Sequence, residues 1–340
     1  MKILIIGGGL IGKERIKAIE YLNTQYENNL EIIGIVDPIF QSQNYKPDLK
    51  YTLYNCIEDA ILNNKSYIDW IFVCTPHFET GNVLKKIFPL GSKILVEKPL
   101  GRNIDEFNEI INYNTTKQSI NIGFNYRFFQ GINNLLNDLL LGHFGNIISV
   151  NMILGHGNAP GMEKSWKLNN ELCGGGSLLD PGIHLIDLAM VISSGSLKLK
   201  SNLSWAGFWN TGIDEETHIL ATDDSNTIYN ISVSLNKWKS TFRLEINGSE
   251  GYGIVEGRGR SYGDQKYTRG KRWGWLNGKT QKDSEEILVS NYNGDDSFIL
   301  ETERILFEHK KSSKNSNAIK PANEIDNMLA LNFINLIYKK

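Results

Sequence analysis

Met1-Lys-Ile-Leu-Ile-Ile-Gly7-Gly-Gly9-Leu-Ile-Gly12 opens the chain, an apolar strand running directly into glycines spaced GxGxxG. Gly7 suits a tight turn, Gly9 lets a pyrophosphate approach the backbone, and Gly12 lets the next helix pack close to the strand. Leu10 and Ile11 begin that helix. Their unpaired N–H groups and the positive end of the helix dipole favour a phosphate without help from a basic side chain. A second apolar run, Glu31 to Val36, ends at Asp37, where an adenosine ribose would lie. That carboxylate can accept both ribose hydroxyls and would repel a 2′-phosphate, so NAD is expected in preference to NADP. Gly9 and Asp37 are 28 residues apart, more than the usual ~20, and the polar run Asn23 to Asn29 can absorb the excess. The same residues also fit a plain strand-turn-helix corner, with Asp37 a turn residue before Pro38.

Composition excludes several classes of protein. The chain has 340 residues, 41% hydrophobic and 22% charged, enough for two globular domains. A net charge of −2 offers no general attraction to nucleic acid or membrane. Cys56, Cys74 and Cys173 are scattered and odd in number, which suits a reducing cytoplasm, and no CxxC pair suggests zinc. No apolar run reaches the ~18 residues that span a bilayer.

Strand and helix patterns alternate over residues 1–123, with strands expected near 2–6, 31–36, 69–74, 93–96 and 119–123, the order of a parallel sheet covered by helices. The third of these closes at Thr75-Pro76-His77. The fourth delivers Glu97 and Lys98 to the same carboxyl edge, where ligands of such sheets collect, and Pro99 ends it. Lys98 is either a salt-bridged strand end or a donor to a substrate oxygen. Beyond residue 123 the runs 144–154, 201–209, 216–222, 227–235, 240–247 and 251–256 read as strands joined by polar turns, an antiparallel arrangement. Residues 322–338 read as a helix with a broad apolar stripe.

Taken together, the glycine loop, Thr75-Pro76, Glu97-Lys98-Pro99, Asn125-Tyr-Arg-Phe128, Gly142-His-Phe-Gly-Asn-Ile-Ile148 and the run Gly174 to Asp187 carry a family likeness. The chain resembles the glucose-fructose oxidoreductase and inositol dehydrogenase (Gfo/Idh/MocA) family of nicotinamide-dependent sugar enzymes. The resemblance implies an α/β doubly wound Rossmann domain over residues 1–123 and an α+β substrate domain with a large open antiparallel sheet over 124–321. The helix 322–340 would then pack back on the first domain. It also implies a homodimer or homotetramer formed through the sheet, and a catalytic group of Lys98, Asp180 and His184. In the Thr-Pro loop this chain has His77 and Thr80 where the family often has asparagine and histidine.

The residues support that chemistry independently. Pro181 suits a first helical position, which makes Asp180 the expected N-cap and places His184 one turn further along. His184 can then accept a hydroxyl proton while Asp180 orients the sugar or the imidazole; alternatively Asp180 only caps and His184 is a core residue. Lys98 and His184 are expected to serve one alcohol. Gly174, Gly175 and Gly176 could admit a ligand or form a turn. Arg127 could meet an acidic substrate group or anchor the fold, Asp187 is expected on the solvent face, and Tyr126 is expected in the core. His156 and Trp166 flank a loop that the family resemblance implies lines the sugar pocket, where an indole can stack on a sugar and a histidine can bond its hydroxyls; as aromatic residues in a loop they also suit structural pins.

Residues 258–282 carry eight basic residues among Tyr262, Tyr267, Trp273 and Trp275. They suit a solvated loop, a subunit contact or the phosphates of a nucleotide-sugar, and the near-neutral chain makes nucleic acid the weaker fit. Lys310 to Lys320 reads as a solvated loop. The expected activity is NAD-dependent interconversion of a secondary alcohol and a ketone on a sugar, cyclitol or nucleotide-sugar. A Rossmann-type methyltransferase or a non-catalytic NAD-binding regulator would also use the glycine loop, but would leave Lys98 and His184 without a task.

Overall fold

The computed structural model describes residues 1–26, 30–41, 50–64, 67–277, 285–292, 295–311 and 319–339. Parts of the runs 23–29, 258–282 and 310–320 lie outside them. The chain forms two units, one of residues 1–124, 298–310 and 321–328, the other of 125–297, 311–320 and 329–340.

In the first unit β1 (Lys2–Ile6), α1 (Leu10–Tyr26), β2 (Glu31–Val36), β3 (Leu53–Tyr54), α2 (Ile57–Asn63), β4 (Trp70–Val73), α3 (His77–Ile87), β5 (Lys93–Glu97), α4 (Ile104–Asn112) and β6 (Ile120–Gly123) follow in order. The sheet runs β6-β5-β4-β1-β2-β3, all parallel. Ile3, Leu4, Ile5, Ile71, Phe72, Val73, Ile94 and Val96 are at most 1% exposed, so both faces of the central strands are covered, as their unbroken apolar runs require. Ile19 and Leu22 of α1 join Ile3, Ile5, Phe72 and Leu95 in one core cluster.

The second unit contains α5 (Gln130–Leu140), β7 (Ile147–Gly155), α6 (Asn170–Cys173), α7 (Ile183–Ile192), β8 (Lys198–Trp205), β9 (Glu216–Thr222), β10 (Ile228–Ser234), β11 (Thr241–Gly248), β12 (Gly251–Glu256), β13 (Gln265–Lys271) and β14 (Glu285–Tyr292). Their eight-stranded sheet has the order β14-β13-β12-β11-β7-β10-β9-β8. It is antiparallel except that β10 runs parallel to β7, because the long excursion between them brings the chain back in the same direction. β13 occupies a stretch that composition marks as loop, and β14 follows it. Tyr267 and Val289 face the core there, while the charged residues between them hide the alternation.

Three elements complete the chain: α8 (Ser297–Lys311), β15 (Ala322–Asn323) and α9 (Glu324–Tyr338). Residues 298–310 of α8 count with the first unit, although the sequence leaves them in the second domain. Arg15 of α1 explains the return. It is fully buried and bonds Glu97 at 2.7 Å through Nε, Glu301 at 2.6 Å and Thr302 at 3.2 Å, with its guanidinium 4.8 Å from the Phe298 ring centre. β15 extends the first sheet by pairing antiparallel with β6. Asn327 then bonds both the N–H and the C=O of Leu100. No helix among the described residues is long and apolar enough to cross a membrane.

Candidate functional site

The glycine loop of the first unit is built by the chain packing against itself. Gly7 has φ +101°, and a Cβ there would lie 2.6 Å from the Cys74 carbonyl oxygen; at Gly12 a Cβ would lie 2.0 Å from the Gly7 carbonyl oxygen. These two positions therefore require glycine for the turn and for close helix-strand packing. Gly9 differs: a Cβ there would meet nothing within 4 Å. It borders open space at the N-terminus of α1, where a pyrophosphate could approach backbone donors. Leu10 is 68% exposed beside it.

Asp37 is tied to this loop. Its Oδ2 accepts the Gly8 N–H at 2.8 Å and its Oδ1 accepts the Ile39 N–H at 2.9 Å, which leaves lone pairs on both oxygens. The Thr75-Pro76 turn follows β4, and the Thr75 and Thr80 hydroxyls lie 3.3 Å apart. His77 is the first residue of α3 and is buried, with Pro76 at the cap position. Glu97, expected at the cofactor, is engaged by buried Arg15, and Gly123 beside it is bare because a Cβ there would lie 2.6 Å from Glu97 Oε2. Lys98 follows at the end of β5, partly buried, and the Lys98-Pro99 peptide is cis. The loop, Asp37 and the Thr75-Pro76 turn fit a dinucleotide.

The second unit gathers a polar cluster. His184, on α7 and 5% exposed, stacks on Tyr126 with ring centroids 3.8 Å apart and planes at 9°. Burial pushes the Tyr126 phenol well above its ordinary range, so the imidazole faces a neutral ring. Lys167 Nζ donates to Asp180 Oδ2 at 3.2 Å, and Asp180 in turn holds the ammonium above its ordinary pKa. His156 Nδ1 accepts the Asn158 N–H at 3.3 Å. Burial, reinforced by Arg258 and Lys167 and opposed by Asp180, holds His156 below the usual imidazole range and hence neutral at pH 7. Trp166 is partly buried in the short turn that also carries Lys167, whose Nζ lies 5.8 Å from the indole centre.

Several expectations change here. Asp180 is not an N-cap: α7 starts at Ile183 with Gly182 at its cap, and the Asp180-Pro181 peptide is cis. Asp214 claims the preceding turn, accepting the N–H groups of Gly176 and Leu178 and the Ser177 hydroxyl at 2.8–2.9 Å, together with the Tyr338 hydroxyl at 2.8 Å. Gly175 and Gly176 serve that packing. A Cβ at Gly176 would lie 1.9 Å from the Asp214 carbonyl oxygen, and one at Gly175 would lie 2.6 Å from the Tyr338 hydroxyl. Asp187 is fully buried instead of solvent-facing. It binds Arg127 through two bonds of 2.8 and 2.5 Å, the fold-anchoring arrangement that the sequence offers beside a substrate contact. Sequence reasoning missed Lys167 and Arg258. Lys167 adjoins Trp166, and Arg258 opens the basic aromatic stretch, but neither stands in a motif.

Comparison with known proteins bears on this geometry. A family model described as "Oxidoreductase family, NAD-binding Rossmann fold" matches residues 1–124, and a second, "GFO/IDH/MocA C-terminal domain", matches residues 139–253. Glucose-6-phosphate 3-dehydrogenase of Bacillus subtilis (strain 168) is 26% identical over 239 residues, 67% of this chain and 63% of that protein. The match thus spans less than two thirds of that relative's length. Among solved structures, levoglucosan dehydrogenase in complex with NADH and levoglucosan superposes with a TM-score of 0.80 at 15% identity, covering 100% of this chain and 96% of that one. KijD10, a 3-ketoreductase from Actinomadura kijaniata in complex with NADP and TDP-benzene, gives 0.74 at 14% identity, covering 100% and 97%.

Proposed function

Because the chain belongs to the GFO/IDH/MocA oxidoreductase family, we propose that it is an NAD-dependent oxidoreductase interconverting a secondary alcohol and a ketone on a sugar, cyclitol or nucleotide-sugar. The observation that carries this reading is the glycine cradle: Gly9 borders open space while Asp37 is bonded to Gly8 beside it. Gly9 and the N–H groups of Leu10 and Ile11 would hold the pyrophosphate, Asp37 the adenosine ribose, and Thr75 to His77 the nicotinamide side. When bound, a nicotinamide supplies the hydride acceptor or donor. His184 takes the proton of the substrate hydroxyl, its ring plane fixed by Tyr126. Lys98 stabilises charge developing on the same oxygen, and Asp180 positions the sugar. The family leaves no support for the methyltransferase alternative.

Asp37 supports NAD over NADP, since a carboxylate held at the ribose edge repels a 2′-phosphate. In Asp37→Ser the ratio of kcat/KM for NAD over NADP is expected to fall by about tenfold or more, the scale of one lost charge-assisted bond. A ratio that does not move would remove Asp37 from nucleotide selection. The activity itself is tested by following reduced nucleotide across a panel of neutral, phosphorylated and nucleotide-linked sugars. NAD binding with no turnover on any of them would favour the non-catalytic regulator.

We also assign self-association to the open face of the eight-stranded sheet. Leu203, Leu220 and Ile228 lie 72%, 48% and 54% exposed on one face by strand register, while Ile219, Ala221 and Ile231 behind them are buried. Sedimentation equilibrium is expected to show a dimer or tetramer, and a Leu220→Lys variant to shift it toward monomer. A wild-type monomer at micromolar concentration contradicts this assignment.

A further inference from the structure

Arg258, in the second unit, is a cation with no carboxylate bonded to it among the described residues. Its guanidinium carbon lies 3.8 Å from the centre of the Tyr262 ring, 5.0 Å from Tyr126 and 5.7 Å from Phe129. Its Nε is buried and bonds no described residue. No carboxylate among the described residues forms an ion pair with it; Asp295 acts only at longer range and is approached by Arg260 at 3.8 Å, while Asp180 is bonded by Lys167.

Energetics set this arrangement apart. Burying an arginine costs several kcal/mol, and here three rings, a hydrogen bond with the Tyr262 side chain and the more distant Asp295 offset that cost, so the guanidinium is held in its charged form. That charge is held with no carboxylate bonded to it among the described residues and with the Nε donor unused, and the planar guanidinium presents paired donors suited to carboxylate or phosphate oxygens. The position is apt as well. Tyr126, under Arg258, is the ring on which His184 stacks, and both Arg258 and Asp180 act electrostatically on His156.

We propose that Arg258 receives an anionic substituent of the sugar, a phosphate or carboxylate, and so makes this a site for charged and not neutral sugars. The inference rests on the sugar-oxidoreductase reading, deepening it to a substrate class. Lys167 adds a second positive charge on the Asp180 side of the cluster.

Calorimetric titration of the NAD-saturated protein with glucose, glucose 6-phosphate, glucuronate and UDP-glucose tests the proposal without requiring turnover. At least one anionic ligand is expected to bind tenfold or more tightly than glucose. The one that does so separates monophosphate, carboxylate and diphosphate recognition. In Arg258→Met, which keeps the aliphatic contact with the rings, that gap is expected to close; Arg258→Lys should retain part of it. If Arg258 merely props up Tyr126, both variants will weaken neutral and anionic ligands equally, overturning the proposal. Equal wild-type affinity for glucose and all three anions, or a gap that survives in Arg258→Met, also overturns it. Turnover on neutral sugars alone would leave the oxidoreductase reading intact while removing this inference, and tight binding of an anionic sugar with no turnover would do the reverse.

Discussion

Replacing His184 by alanine is expected to lower kcat by on the order of 10²-fold or more while leaving the dissociation constant for NAD unchanged, because the imidazole acts on the proton and the nucleotide is held by the glycine cradle. The stack on Tyr126 confines the ring at 3.8 Å and 9°, so its orientation is set before substrate arrives. Alanine also opens a cavity in a site that is 5% exposed, and a stability loss could be mistaken for a catalytic one. His184→Asn, which keeps a polar side chain there, separates the two. It is expected to melt near the wild type yet remain slow, and to lose the limb of the pH-rate profile that reports the base. Unchanged turnover in a folded variant removes His184 from the mechanism.

Replacing Arg15 by methionine is expected to destabilise the protein by about 3–5 kcal/mol, the largest single effect on folding foreseen. Arg15 and Glu301 have fully buried side chains and that of Glu97 is 12% exposed, so loss of the guanidinium leaves two carboxylates with little water to replace it. The neighbouring negative charges outweigh burial and hold Arg15 above even its ordinary pKa, so it is the charged form that is built in. Urea denaturation measures the change. Converting Glu97 and Glu301 to glutamine in the Arg15→Met background should restore part of the loss, since the penalty comes from orphaned charge. A cost below about 1 kcal/mol for Arg15→Met would show that this network does not secure α1, β5 and α8 to one another.

Much of the first unit was legible because its signals are local. The glycines declare their own turn, and strands buried on both faces read as unbroken apolar runs at Ile3 to Ile6 and Trp70 to Val73. Arg15 was not legible, since a charged residue on an amphipathic helix reads as solvent-facing until Glu301, far along the chain, is brought to it. In the second unit the sequence places His184 on a helix, where it lies, but the start of that helix was misjudged. Pro181 suggested a first helical position, whereas Asp214 organises the preceding turn through contacts that no local pattern encodes. The same holds for Asp187, whose place on a helix gives no hint of Arg127. Long-range polar pairs account for most of these differences. They obey charge and hydrogen-bonding rules, and only the fold supplies the partner.

Isotope transfer tests the central claim most directly. The protein is incubated with NAD and uniformly carbon-deuterated sugars, sugar phosphates, uronates, cyclitols and nucleotide-sugars, and the nucleotide is examined by mass spectrometry. One substrate is expected to deliver a single deuterium to the nicotinamide ring and to appear as a ketone that has lost that one deuterium and one hydroxyl proton. Reduced nucleotide without deuterium, or none formed from any member of the panel by protein that binds NAD, would contradict the account.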